Sequence, residues 1–451
     1  MKKLFGSSGV RGLVNKFLTP ELSCKVGLAA ASQIKAKKAI IGRDTRTSGL
    51  MFKEALISGL LSCGVDVKVV GIVPTPVLAY LTKKLGADIG FMLTASHNPP
   101  QYNGIKIFDN TGLSYSDKEQ KSIEIRIKEK KYDLSNWNKV GKVTKIDVDS
   151  LYLKMIKQTI TFKKKWKIVL DPGCGATFSI GPKLLKNCGC EVTVLNGQPD
   201  GTFSARKSEP TKKSLKNLEK IVRDLDYDVG IAFDGDGDRA AFIDKNGKFV
   251  DFDKLLVAFT GHILRKNGGG TVVTNVETSM SFEKISKKFN GKVIRTRVGD
   301  VYLSEVMKKK KAIFGGEPCG AWIHPQFHFC PDGLLSAVLL LKALEKEDKT
   351  LDEFISKVPD FITLRENIFC NNLDKTRTIK ILKDKIKNVF PEMSESSNID
   401  GIRVSLKKGW ILIRESGTEP FIRLTVEGES LKIARDILKR GIELIKGIVE
   451  A

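Results

Sequence analysis

Short apolar runs alternate along the chain with stretches in which apolar residues recur every three or four positions. Residues 39–42 (Ala-Ile-Ile-Gly) predict a strand, 50–61 a helix, 65–72 a strand, 76–85 a helix and 88–93 a strand. Short buried strands separated by helices indicate βαβ units and a largely parallel sheet. The pattern returns with strands at 167–170, 191–195 and 229–233, and again at 271–274, 292–295 and 312–314. Three similar α/β units in series account for this, although no strict sequence period joins them. From about Phe361 the pattern changes to a strand, a helix ending at Val389, and three close strands at 402–404, 410–413 and 421–426. A helix over 430–448 closes the chain, and strands clustered with flanking helices suggest a small α+β domain. Seams near 147, 250 and 358 divide the chain into 1–147, 148–250, 251–358 and 359–451.

Composition narrows the class. With 451 residues and 41% hydrophobic content, global disorder is excluded and several cores are expected. No apolar run approaches the ~20 residues that span a bilayer, so no membrane partner is expected. The opening, Met1 to Gly9, lacks the apolar segment of a signal peptide, and a cytoplasmic location is the expectation. Eight cysteines are scattered without a CxxC pair and read as reduced thiols. The net charge of +24 raises nucleic acid as a partner. Yet lysine is spread along the chain among Glu and Asp, as on solvated helix faces. No nucleic acid is expected, and a phosphorylated substrate suits the charge as well.

Four Gly-rich stretches break the periodicity, one in each proposed unit. The first, Thr94-Ala95-Ser96-His97-Asn98-Pro99, follows a predicted strand end, where open α/β sheets bind ligands. Ser96 is a candidate nucleophile with His97 beside it; a plain turn is the other reading. The second, Asp234-Gly235-Asp236-Gly237-Asp238-Arg239, sets three carboxylates in five residues. In a straight strand residues i and i+2 lie ~6.6 Å apart, whereas oxygens ~2.1 Å from one Mg²⁺ are at most ~4.2 Å apart. The chain must bend, and the two glycines permit it. An EF-hand is excluded, because Arg239 and Lys245 stand where Gly and Glu are required. The third, Gly315-Gly316-Glu317-Pro318-Cys319-Gly320, sets a carboxylate between glycines that can accept from vicinal hydroxyls; a structural turn is the equal reading of this stretch alone. The fourth, Arg414-Glu415-Ser416-Gly417-Thr418-Glu419-Pro420 with Arg423, offers hydroxyls, turn N–H groups and guanidiniums to a phosphate. Cys319, His324, His328 and Cys330 raise zinc, but their spacing matches no common zinc module.

The four stretches together, in this order and spacing, resemble the α-D-phosphohexomutase family, from Phe5-Gly6-Ser7-Ser8-Gly9-Val10-Arg11-Gly12 to beyond Arg423. The resemblance implies an α/β fold of three related mixed α/β domains plus a C-terminal α+β domain around a central cleft. It implies that Ser96 carries a phosphoryl group and hands it to a hexose monophosphate, giving a bound 1,6-bisphosphate that turns over. It places Mg²⁺ on Asp234, Asp236, Asp238 and the serine phosphate, and a hexose 1,6-bisphosphate as activator. Arg11 would face the phosphoserine, Lys106 transfer protons with His97 close by, and Arg239 serve in the active site. Thr296 and Gly299 would belong to a substrate loop, Glu317 and Cys319 to the sugar loop. Arg414, Ser416, Gly417, Thr418 and Arg423 would clamp the second phosphate. The opening and the Gly-Glu-Pro-Cys-Gly-Ala-Trp-Ile stretch are most similar to archaeal-type phosphoglucosamine mutases, which implies glucosamine 6-phosphate and 1-phosphate as partners. Phosphomannomutase/phosphoglucomutase activity is the alternative, and a silent sugar-phosphate- or nucleic-acid-binding protein the alternative of another class. Cys319 departs from the family's usual Ser, and Glu415 from its frequent Pro. The oligomeric state, monomer or homodimer, is left open.

Overall fold

The computed structural model describes residues 4–6, 8–147, 149–158, 160–371, 374–416 and 420–449. They fall into two units, one of residues 1–259 with 299–356, the other of 260–298 with 357–451.

In the first unit a seven-stranded sheet runs in the order Phe5–Gly6, Gly9–Leu13, Tyr102–Asp109, Ile89–Leu93, Lys38–Arg43, Asp66–Ile72, Val143–Lys145. Its last four strands are parallel, as the apolar runs at 39–42, 65–72 and 88–93 predict. The other three are antiparallel, which corrects the expectation of a largely parallel sheet. For Tyr102–Asp109 the reason is length: the link 94–101 is shorter than the dozen or so residues of a parallel crossover, so the chain must fold straight back. A second sheet orders Ala240–Ile243, Val229–Phe233, Lys167–Asp171 and Glu191–Val194, with Ala240–Ile243 antiparallel to its neighbour for the same reason. Strands Phe314–Gly316 and Trp322–Ile323 form a third short return, pairing antiparallel. Val229–Phe233 and Ile89–Leu93 are buried at every position, so their C-terminal ends are fixed by core packing.

In the second unit Gly270–Asn275 and Gly291–Thr296 pair in parallel, with helix Ser281–Lys288 as their crossover. Five antiparallel strands follow in the order Ile362–Phe369, Phe421–Gly428, Gly409–Glu415, Ile402–Leu406, Glu395–Ser397. Ile411 and Ile413 point from one face into the core shared with helices Lys375–Val389 and Leu431–Val449. Alternation along the strand turns Trp410 and Leu412 to the other face, where they pack on Val276. No helix among the described residues is long and apolar enough to cross a membrane.

Candidate active site

Strand Ile89–Leu93 delivers the first loop. Ser96 is buried and left-handed, with φ of 50°. Its N–H donates to Thr94 Oγ1 at 2.8 Å, and Thr94 Oγ1 donates to Asp44 Oδ2 at 2.6 Å. Ser96 Oγ donates to Asp234 Oδ2 at 2.7 Å and lies 3.3 Å from His97 Nδ1. Burial, with the charges of Arg239 and Arg11, lowers His97 to about 3, so its imidazole is neutral near pH 7.

Strand Val229–Phe233 delivers the three aspartates, all buried, each offering an oxygen within 4.8 Å of the others. The bend comes where the glycines stand: Gly237 has φ of 73°. A Cβ on Gly235 would lie 2.6 Å from Ser96 O, so this glycine lets the two loops meet. Burial, reinforced by mutual repulsion, raises Asp234 and Asp238 above the usual carboxylate range. At Asp236 the Lys106 ammonium and the Thr75 hydroxyl outweigh burial and hold the carboxyl low. Lys106 Nζ donates to Asp236 Oδ2 at 2.9 Å and Asp238 Oδ2 at 2.7 Å. Burial opposes its charge, but these carboxylates prevail and keep it an ammonium.

Even so, Asp236 Oδ1 and Asp238 Oδ1 are buried without a hydrogen-bond partner. Orphaned carboxylate oxygens are costly unless a cation meets them. The donor set is all hard oxygen, the kind that suits Mg²⁺. The triad suits a metal ion.

Arg11, on strand Gly9–Leu13, donates from Nη1 to Asn98 Oδ1 at 2.8 Å. Arg239 Nε lies 3.9 Å from Asp238 Oδ1, and the guanidinium also feels Cys319, Asp234 and Glu317. Buried Glu317 accepts from Gly299 N–H at 2.9 Å. Burial pushes the Cys319 thiol up to about 12 despite Arg239 nearby. The first unit therefore gathers Arg11, Ser96, His97, Lys106, Asp234, Asp236, Asp238, Arg239, Gly299, Glu317 and Cys319. Sequence reasoning passed over Thr75 there, and placed Ser8 only within the opening motif and Asp300 only within the Thr296–Asp300 loop. Thr75 Oγ1 donates to Asp236 Oδ2 at 2.5 Å, Ser8 Oγ donates to Asp300 Oδ1 at 2.7 Å, and Asp300 acts on both Arg11 and Lys106. No sequence signal joins Thr75 to a loop 161 positions away.

His324 and His328 serve a hydrogen-bond network: His324 Nε2 meets Ser336 Oγ at 2.9 Å, and His328 Nε2 meets Asp332 Oδ2 at 2.9 Å. Asp332 Oδ2 also accepts from Tyr152 Oη at 2.5 Å. Asp332 caps helix Gly333–Glu347, whose first N–H donates to Gly237 O at 3.2 Å.

In the second unit Thr296 ends its strand and donates from Oγ1 to Arg297 O at 2.8 Å. Arg414 and Arg423 stand opposite each other on adjacent strands. Arg414 is ion-paired with Glu277 and, at 2.9 Å, with Asp400. Buried Ser416 accepts at its carbonyl from Lys375 Nζ at 2.5 Å, a cation that the sequence reading missed. Gly417 and Thr418 lie outside the described residues.

The chain matches the models of phosphoglucomutase/phosphomannomutase α/β/α domain I over residues 2–133, domain II over 150–247, domain III over 251–361 and the C-terminal domain over 367–443. It is 43% identical to the phosphoglucosamine mutase of Methanococcus vannielii, with 98% of each chain covered. It is 40% identical to that of Methanocaldococcus jannaschii over 100% of both chains. A phosphoglucomutase/phosphomannomutase family protein from Burkholderia thailandensis superposes with a TM-score of 0.90 at 26% identity, over 99% of this chain and 98% of that one.

Proposed function

Because the chain belongs to the phosphoglucomutase/phosphomannomutase family, we propose that it interconverts glucosamine 6-phosphate and glucosamine 1-phosphate through a phosphoserine at Ser96. It is a phosphohexomutase, an isomerase that moves a phosphoryl group within one sugar. The observation that carries the reading is Ser96 Oγ at 2.7 Å from Asp234, beside buried aspartate oxygens that lack partners.

The chemistry follows from the residues. A hexosamine monophosphate enters with its existing phosphate on Arg414, Ser416, Gly417, Thr418 and Arg423, and its ring hydroxyls donate to Glu317. The free hydroxyl attacks the phosphorus on Ser96: one P–O bond forms to the sugar and the bond to Oγ breaks. The hydroxyl gives up a proton and Oγ takes one up, so the count is unchanged. Lys106, hydrogen-bonded to Asp236 and Asp238, is the residue proposed to relay these protons, with His97 3.3 Å from Ser96 Oγ. The bound 1,6-bisphosphate turns over, and the other phosphoryl group returns to Ser96. Asp234, Asp236, Asp238 and a phosphoserine oxygen would hold Mg²⁺, which when bound neutralises charge on the transferring group. Arg11 and Arg239 add fixed positive charge, and catalysis of this type rests on positioning and electrostatics. A bisphosphate that escapes leaves Ser96 bare, so added glucose 1,6-bisphosphate should restore idle enzyme.

The division 1–147, 148–250, 251–358 and 359–451 assigns one of these loops to each domain. A coupled assay with glucosamine 6-phosphate, glucose 1-phosphate and mannose 1-phosphate tests the substrate. Fastest turnover of glucosamine 6-phosphate supports the reading; preference for the neutral sugars transfers it to phosphomannomutase/phosphoglucomutase activity.

A further inference from the structure

A non-glycine residue in the left-handed region is strained and persists only where its surroundings over-determine it. Ser96 is such a residue. What holds it is Arg46, whose side chain is wholly buried. Its Nε donates to Asp44 Oδ2 at 3.0 Å, Nη1 to Pro99 O at 2.7 Å and Tyr102 O at 2.9 Å, and Nη2 to Ser96 O at 2.8 Å and Asn98 O at 2.6 Å. A guanidinium has five N–H donors, and here each has an acceptor, four of them carbonyls of the nucleophile loop. Ser208 Oγ reaches two more lone pairs, on His97 O at 2.7 Å and Asn98 O at 3.0 Å. Phe203 covers the guanidinium, its ring centroid 5.0 Å from Cζ. Asp44 neutralises the charge and, through Thr94, reaches the Ser96 N–H.

We propose that Arg46 is a positioning residue for phosphoryl transfer: its fork gathers the carbonyls of 96–102, fixing the strained backbone from which Ser96 Oγ addresses the aspartates. The same bonds commit carbonyl lone pairs that would otherwise stand near a phosphoryl dianion. The inference rests on Ser96 as the phosphoryl carrier. It makes fork geometry the requirement rather than charge, because lysine is a point donor with three N–H groups and cannot span these acceptors.

The test uses the full-length enzyme charged with glucose 1,6-bisphosphate, as wild type, Arg46→Lys and Ser208→Ala. Single-turnover transfer from phosphoenzyme to glucosamine 6-phosphate is followed with steady-state KM and the ³¹P resonance of the phosphoserine. A displaced nucleophile of about 1 Å slows transfer roughly a hundredfold, so Arg46→Lys is expected to lose that factor in rate with KM unchanged and a shifted resonance. Ser208→Ala removes about one hydrogen bond's worth of restraint and should lose roughly tenfold. A folded Arg46→Lys enzyme with wild-type transfer and resonance overturns the proposal. If that variant does not fold, wild-type transfer and resonance in Ser208→Ala overturn it instead. Wild-type enzyme that takes up no phosphoryl group at Ser96 defeats the relay itself, a result distinct from either.

Discussion

Burial keeps single residues here neutral over a wider pH range than water would, and the consequences are measurable. His324 is the plainest case away from the aspartates. Burial among Phe259, Phe314 and Ser336 lowers it from 6.5 to about 3, so it stays neutral in the folded chain. As pH falls below 6.5 the unfolded chain takes up a proton that the folded chain refuses until about 3. Stability present above that window is lost through it. His324→Gln should flatten the fall of Tm with pH between 6.5 and about 3, measured against wild type; an identical slope would refute the assignment. Cys319 is the second case. With its thiol raised to about 12, it should resist iodoacetamide near neutral pH. Cys319→Ser restores a stronger hydrogen-bond partner next to Glu317 and Arg239 and should shift the ratio of glucosamine phosphate to glucose phosphate turnover. An unchanged ratio would move selectivity to another loop. At this scale the sequence was legible where chemistry is local: Ser96 after a strand, three aspartates on a glycine-broken turn. It was silent on Arg46, Thr75 and Lys375, because each gains its role from contacts that only the fold creates.

All four chemistry-bearing stretches share one construction at the level of elements. Each links a strand to its antiparallel neighbour: Leu93 to Tyr102, Phe233 to Ala240, Gly316 to Trp322, Glu415 to Phe421. A link too short for a crossover forces the chain back at once, presenting its side chains at the end of a packed strand. The apolar runs revealed the strands but not their direction, since parallel and antiparallel strands buried on both faces look alike in sequence. That is why the returning strand Tyr102–Asp109, which carries Lys106, was not foreseen. On the fourth return, opposite Arg414, stands Arg423, one of the residues proposed above to clamp the phosphate. Arg423→Ala should raise KM for every sugar phosphate by a similar factor, about ten- to a hundredfold if a charged hydrogen bond of ~1.5–3 kcal/mol is lost. A rise confined to one sugar would show that the residue reads the ring. Arg414, shared between Glu277 and Asp400, already has anionic partners, so a phosphate must compete with them.

Over the whole molecule the sequence conveyed the alternation of strands and helices and the change of pattern near Phe361, where an antiparallel sheet packs on its own apolar core. Length and charge alone would have left the function open, since +24 is equally compatible with a polyanion partner. The order of the four loops carries the family resemblance that length and charge do not. Two properties are expected of the intact enzyme. It must need a divalent metal: EDTA should abolish turnover, Mg²⁺ should restore it, and Asp236→Asn should weaken the restoration. Activity indifferent to chelation would contradict the metal assignment. It must also carry its own phosphoryl group, and that claim meets its most direct test in intact-mass spectrometry. Phosphatase-treated enzyme mixed with glucose 1,6-bisphosphate should gain the mass of one phosphoryl group. Fragmentation should place it on Ser96, and the gain should vanish together with turnover in Ser96→Ala. A Ser96→Ala enzyme that still interconverts glucosamine phosphates, or a wild type that turns over without ever gaining that mass, would contradict the account.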